Sequence, residues 1–106
     1  MKLFHSPLSP YVRKCMIVAH ELGLTDRIET VEGSGTPLAP NEAVVDANPV
    51  GRIPALVTDD AGTLMDSRVI CRYLNHLGGG ALYGSGAGEF PIIAREALAE
   101  GMIDSA

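Results

Sequence analysis

The order of short strand patterns and amphipathic helix patterns is the feature that most constrains the fold of this chain. Residues 2–5 are strand-like, and a helical pattern begins at Pro10 after a short loop. A second strand is predicted at residues 27–31 and a short helical turn at residues 41–47. A hairpin of two further strands then precedes a second clear helix. This order, β-α-β-α-β-β-α, predicts an α/β fold with a mixed four-stranded sheet and helices on both faces.

The first helix has clear signals at both of its ends. Ser9 is suited to the N-cap, and Pro10 is suited to the first helical position, where a missing N–H costs nothing. Gly23 predicts the end of the helix. Apolar residues recur between these signals at spacings of three and four, which predicts one buried face, at Val12, Cys15, Met16, Ala19 and Leu22.

The middle of the chain contains the remaining strand signals. A short helical turn is predicted at residues 41–47, and strands are predicted at residues 55–58 and 63–65. The sequence DDAG between these two strands is typical of a hairpin turn. Asp66 and Ser67 then open the second clear helix, and three consecutive glycines from Gly78 end it.

The end of the chain has a different composition. Six of the twelve glycines lie between Gly78 and Gly88, which predicts a flexible linker. An apolar helical pattern follows beyond Pro91. We therefore divide the chain into a domain at residues 1–77, a linker at 78–89, and the first helix of a second, helical domain at 90–106.

Charge and hydropathy exclude several classes of function. The net charge is −5, whereas a nucleic-acid-binding protein needs a basic face to neutralise phosphates. The same charge argues against binding to an anionic membrane surface. No apolar run approaches the roughly 20 residues that span a bilayer, and the N-terminus lacks the apolar segment of a signal peptide.

The two cysteines, Cys15 and Cys71, lie far apart in apolar helical patterns. No CxxC motif and no zinc-type spacing occurs, so we expect no metal site. Although the sequence leaves a disulfide open, we expect both residues to be free thiols that pack as small apolar side chains. Reduced thiols and the lack of a signal peptide predict a cytoplasmic location.

Three segments resemble a known family. In order and spacing, SPLSPYVRKCMIVAHELGL, NPVGRIPALV and LMDSRVICRYL are similar to the N-terminal domain of bacterial cytosolic glutathione transferases. The resemblance covers residues 1–77 and extends into REALAEGMIDSA, which is similar to the first helix of the family's second domain. It implies a thioredoxin-like fold, glutathione as cosubstrate, an electrophilic small molecule as acceptor, and homodimers.

Ser9 is the candidate catalytic residue. Glutathione must ionise to attack an electrophile, and an ordinary thiol has a pKa of about 8.5. The start of a helix favours negative charge, and in the resembling family a serine or tyrosine near this point donates a hydrogen bond to the thiolate. Two alternatives stay open: Ser9 is only an N-cap, or Ser6 is the thiolate partner.

The resemblance assigns five further residues to glutathione binding. Asp66 and Ser67 start a helix, and the pair is expected to hold the γ-glutamyl end, although both are also ordinary caps. A cis bond between Ile53 and Pro54 is expected to present the Ile53 backbone to the cysteinyl part, like an added strand. Arg52 is a candidate for the glycyl carboxylate, or a solvated loop residue.

Three alternatives compete with glutathione transfer as the function of this chain. Glutaredoxins carry Cys-Pro-Tyr-Cys where this chain has Ser9, Pro10, Tyr11 and Val12, so disulfide exchange at that junction is disfavoured. A non-catalytic binding or regulatory module of the same fold is the main alternative. A fragment whose stability depends on dimerisation or domain exchange is another, because the final segment has an apolar face. In the resembling family, the second domain builds most of the electrophile pocket. The segment LYGSGAGEFP is longer and richer in glycine than the family's usual Leu-Tyr-Pro segment.

Overall fold

The molecule is built on a four-stranded mixed sheet. The computed structural model describes residues 1–33 and 53–104. Its strands are β1 (Lys2–His5), β2 (Glu29–Glu32), β3 (Ala55–Val57) and β4 (Thr63–Met65), in the spatial order β2-β1-β3-β4. β1 pairs with β2 in parallel, while β1–β3 and β3–β4 are antiparallel. The predicted mixed sheet is therefore confirmed.

Two helices cover one face of this sheet. They are α1 (Pro10–Glu21) and α2 (Ser67–Leu77), and they pack on each other and on the sheet. Leu3 and Leu56, directly opposite each other in the β1–β3 pair, point into this layer. The buried residues of the main core also include Val12, Cys15, Ala19, Leu24, Ile70, Cys71, Leu74 and Tyr83.

The opposite face carries a smaller apolar cluster. Phe4 and Ala55 are buried there, because successive side chains of a strand point to opposite faces. Val31, Ile53 and Val57 pack against them. The helical turn predicted at residues 41–47 lies outside the described residues.

Three strand boundaries differ from the prediction, and one of them is the end of β2, which lies at Glu32 rather than at residue 31. β2 begins at Glu29 rather than at Arg27, because Arg27 belongs to a 3₁₀ turn (Thr25–Arg27) and its N–H donates to the Leu24 carbonyl at 2.9 Å. β3 ends before Thr58, whose hydroxyl oxygen accepts the Ala61 N–H at 2.8 Å in the hairpin turn. Local hydrogen bonds thus delay the start of β2 and end β3 one residue before the predicted boundary.

The glycine-rich segment is held against the domain at Tyr83. This residue is buried in the main core, and the Arg72 guanidinium lies 5.1 Å from its ring centroid. The Tyr83 hydroxyl donates to Glu96 at 2.8 Å, and burial raises the pKa of Tyr83. The following helix, α3 (Glu89–Asp104), begins before Pro91 rather than beyond it, and Arg72 also pairs with Glu89.

Within residues 1–33 and 53–104, none of the helices has the length and hydropathy needed to cross a bilayer. Both cysteines are free and buried, as predicted. The apolar helical patterns around them therefore belong to core faces.

The main core can be tested at Leu56, which is fully buried at the centre of the sheet. We expect Leu56→Ala to lower the free energy of unfolding by about 2–5 kcal/mol, because the truncation leaves a cavity. Urea denaturation measures this change. The matched control is Leu8→Ala, since Leu8 is 88% exposed and its truncation should change the stability by less than about 0.5 kcal/mol. Equal effects of the two substitutions would contradict this core.

Candidate functional site

Strand register brings three chain connections to one end of the sheet. In the β1–β3 pair Phe4 lies opposite Ala55, and in the β3–β4 pair Ala55 lies opposite Met65. The end of β1, the start of β3 and the end of β4 are therefore neighbours. Residues 6–9, the Ile53–Pro54 segment and the start of α2 all leave the sheet at this end. The sequence-predicted site residues among the described residues belong to these connections.

Ser9 caps helix α1, as predicted. Its side-chain oxygen accepts the Val12 N–H at 3.2 Å, and Pro10 takes the first helical position. Ser6 makes a different contact, since its hydroxyl oxygen accepts the Leu8 N–H at 3.3 Å. Each hydroxyl acts as acceptor in these bonds, so its own proton remains available for donation.

Ile53 and Pro54 directly precede β3. Their peptide bond is cis, as the resemblance implied. Pro54 is buried and Ile53 is half-buried, packed against both apolar clusters. Arg52, the residue before them, lies outside the described residues.

Asp66 caps helix α2 with an unusual backbone. Its φ of 73° lies in the left-handed region, which is sparsely populated by residues other than glycine and is often found at functional sites. Its carboxylate accepts the Arg68 N–H at 2.9 Å and pairs with the Arg68 guanidinium at 2.9 Å. The side-chain hydrogen bonds from Arg68 lower the pKa of Asp66.

Ser67 is buried, and its hydroxyl donates to the carboxylate of Glu100 on α3. Glu100 is also buried and pairs with Lys14 of α1 and with the Arg68 Nε, the latter at 3.3 Å. We call Lys14, Ser67, Arg68 and Glu100 the Glu100 cluster. Sequence reasoning missed the role of Glu100, because an acidic residue in a helical pattern is usually a solvated one.

Lys14 joins α1 to α3 through a second acid as well. Its ammonium lies 3.1 Å from a carboxylate oxygen of Glu96, in addition to its pairing with Glu100. Burial by itself would lower the pKa of Lys14, but the hydrogen bonds with Glu100 and Glu96 outweigh that effect and raise it. The buried carboxylate of Glu100 is thus compensated by a fully charged neighbour.

The Glu100 cluster is suited to a zwitterionic ligand group. The N-terminus of α2 and the Ser67 hydroxyl are donors for a carboxylate, while the Glu100 carboxylate is an acceptor for an ammonium group. In the part of the chain that the structure describes, there is no group of three or more metal-ligating side chains that could hold an ion.

An apolar crevice of about 240 Å³ runs between α1 and α3 beside the cluster. Its polar edge includes Lys14, Glu96 and Glu100. Tyr11, at the Ser9 end of α1, also lines it and donates its hydroxyl hydrogen to Asp104. The apolar lining includes Pro10, Val18, Leu82, Ile92, Ala99 and Ile103.

A family model described as glutathione S-transferase, N-terminal domain, matches residues 8–77. The chain belongs to this family. The match covers both connections that carry the predicted serines, Ser9 and Ser67. It also includes the Ile53–Pro54 segment.

Individual relatives agree with this assignment. An uncharacterized GST-like protein, YibF, of Escherichia coli is 36% identical over 74 residues, and glutathione S-transferase 3 of Zea mays is 40% identical over 75 residues. Both alignments cover 70% of this chain, but only 35% and 32% of the respective relatives. The chain thus spans about a third of the length of these relatives.

Solved structures of the family extend the similarity to α3. A glutathione transferase family member from Pseudomonas fluorescens Pf-5, determined with bound glutathione, superimposes with a TM-score of 0.88 at 40% identity. The superposition covers 97% of this chain and 51% of that protein. A glutathione S-transferase from Methylobacillus flagellatus, also with glutathione bound, gives a TM-score of 0.80 at 36% identity over the same share of this chain. The thioredoxin-like fold with the first helix of a helical domain is therefore established.

The lowered pKa of Asp66 predicts a pH-dependent stability. Its folded pKa lies below the unfolded value, so the ion pair stabilises the fold at neutral pH, and this contribution is lost as the pH falls through the folded pKa. We expect Asp66→Asn, which retains a capping side chain, to reduce stability at pH 7 by less than about 1 kcal/mol, since the pair is half exposed.

Urea denaturation of both proteins across the acid range measures this effect. The difference in stability between wild type and variant should begin to shrink at about pH 4, where the unfolded carboxyl group protonates, and should be lost below the folded pKa. A difference that is the same at neutral and acid pH would contradict a role for the Asp66 charge.

Proposed function

We propose that this domain binds glutathione and activates its thiol for transfer to an electrophilic small molecule. The observation that carries the proposal is the convergence of Ser9, Ile53 and Ser67 at one end of the sheet, beside the buried Glu100 carboxylate. The relatives from Pseudomonas fluorescens and Methylobacillus flagellatus have glutathione bound in their structures, which supports glutathione as the ligand.

The γ-glutamyl end carries both an ammonium and a carboxylate group. In our proposal the carboxylate takes hydrogen bonds from the Ser67 hydroxyl and from the N-terminus of α2. The ammonium lies near Asp66, and the buried Glu100 adds a second acid beside it. Binding would then exchange the internal bond between Ser67 and Glu100 for one bond from each residue to the ligand.

The rest of the tripeptide lies along the same end of the sheet. The Ile53 backbone next to cis-Pro54 pairs with the cysteinyl part as an added strand would. Arg52 remains the proposed partner of the glycyl carboxylate. This arrangement directs the cysteinyl sulfur towards the start of α1, where the Ser9 hydroxyl donates a hydrogen bond to the thiolate.

Two surfaces support our proposals for the electrophilic acceptor and for the homodimer. The crevice between α1 and α3 has an apolar lining beside the start of α1, which suits an apolar electrophile. On α3, Phe90, Leu98 and Met102 are each more than 60% exposed, which supports a homodimer in which this face is covered. We also propose the division into residues 1–77, 78–89 and 90–106, and a cytoplasmic location.

Ser9 and Ser6 can be separated by the pKa of bound glutathione. We expect Ser9→Ala to leave glutathione affinity within a few-fold and to raise the pKa of the bound thiol by about one unit, the loss of ~1.4 kcal/mol of thiolate stabilisation. Titration of the thiolate ultraviolet absorbance measures this. Ser6→Ala is the matched control and should leave the pKa unchanged. The reverse pattern would transfer the role to Ser6.

Substitutions of Glu100 and Glu96 form a second matched pair of variants. Both lie on α3 and both bind Lys14, but only Glu100 reaches Ser67. We expect Glu100→Gln and Ser67→Ala each to weaken glutathione binding by about 10-fold or more, since a charge-assisted hydrogen bond is worth about 1.5–3 kcal/mol. Glu96→Gln should change the affinity less than about threefold.

Calorimetric titration with glutathione makes both comparisons. Equal losses for Glu100→Gln and Glu96→Gln would show that Lys14 pairing, not ligand contact, explains the effect. If wild type binds no glutathione, the proposal fails and the non-catalytic module of the same fold is favoured.

A further inference from the structure

The two cysteines lie against each other in the main core. Cys15 on α1 and Cys71 on α2 are both fully buried, and their sulfur atoms are 4.0 Å apart. They are 56 positions apart in sequence, so only the packing of α1 on α2 brings them together. A disulfide needs an S–S distance of about 2.05 Å, so the two sulfur atoms must approach each other by about 2 Å to form the bond.

The pair lies directly beneath the candidate site. The Cys15 sulfur is 4.0 Å from the backbone carbonyl oxygen of Ser67, the first residue of α2. A bond between the two sulfurs would therefore join the helix capped by Ser9 to the helix that starts at Ser67. Neither cysteine has a part in the proposed glutathione chemistry.

We propose that Cys15 and Cys71 form a reversible redox site, in which a small hydroperoxide converts the two thiols into an internal disulfide. The Cys71 sulfur attacks the peroxide oxygen, and the O–O bond breaks to give a sulfenic acid and an alcohol or water. The Cys15 sulfur then attacks the sulfenic sulfur, and water leaves. Two small thiol molecules reverse the oxidation by thiol–disulfide exchange and become a disulfide themselves.

The order of the two cysteines follows from their surroundings. The hydrogen bond between the sulfurs lowers the pKa of Cys71, with help from the nearby Lys14 charge, and the same bond together with burial raises the pKa of Cys15. The Cys15 thiol also faces the Ser67 carbonyl oxygen at 4.0 Å, a neighbour that accepts a thiol proton and repels a thiolate. We therefore assign Cys71 as the attacking residue and Cys15 as the resolving one. Since both are buried, the oxidant must be small and uncharged, and the reaction follows transient opening of the core.

The test is alkylation of the wild-type protein after exposure to hydrogen peroxide. We expect the untreated protein to take up two alkyl groups when denatured, and the oxidised protein to take up none while remaining a single chain on a non-reducing gel. Addition of dithiothreitol should restore both thiols. The oxidised protein should also melt at least about 5 °C higher, since the disulfide closes a long loop.

Single substitutions test the order of events. With peroxide and dimedone present, Cys15→Ala should trap a sulfenic acid adduct on Cys71, whereas Cys71→Ala should give little adduct on Cys15. Retention of both thiols by oxidised wild type, or a disulfide only between chains, would overturn the proposal whether or not the variants fold. This test needs no glutathione, so its outcome is independent of the proposed function.

Discussion

The pairing register of β1, β3 and β4 is the constraint on which the rest of this structure depends. Phe4, Ala55 and Met65 lie side by side across three strands, so the connections that follow or precede them leave the sheet together. A shift of one residue in any strand would turn its buried side chains to the other face. The apolar residues on both faces of β3 therefore hold the register and, with it, the candidate site.

The buried carboxylate of Glu100 connects this sheet domain to the helix that follows it. A buried charge is costly unless it is paired, and here Lys14, Ser67 and Arg68 come from two different helices to compensate it. Such a cluster is weak evidence for added stability, because pairing mainly offsets the cost of desolvation. The family resemblance implicates the start of α2 in ligand binding. Because Ser67 donates to Glu100, a residue of α3 belongs to this part of the candidate site as well.

The local elements were largely predictable. The Ser9 cap, the Pro10 start of α1, the start of α2 at Ser67 and the hairpin of β3 and β4 all agree with the sequence signals. Each of these signals acts within a few residues along the chain. The errors at β2, at the end of β3 and at the start of α3 are boundary errors of one to three residues. At the two strands, local hydrogen bonds compete with the strand pattern.

The sequence by itself determined the fold class, the order of the elements and the serines and acids at helix starts, because periodicity and capping are local properties. The tertiary structure alone decided that Glu100 binds Ser67, that Cys15 contacts Cys71 and that Tyr83 of the glycine-rich segment is buried in the main core. The hydrogen bonds of these residues join positions between 13 and 56 apart in the chain. Their existence depends on how α1, α2 and α3 pack, and helix packing is set by the combined shape of many side chains rather than by any local pattern.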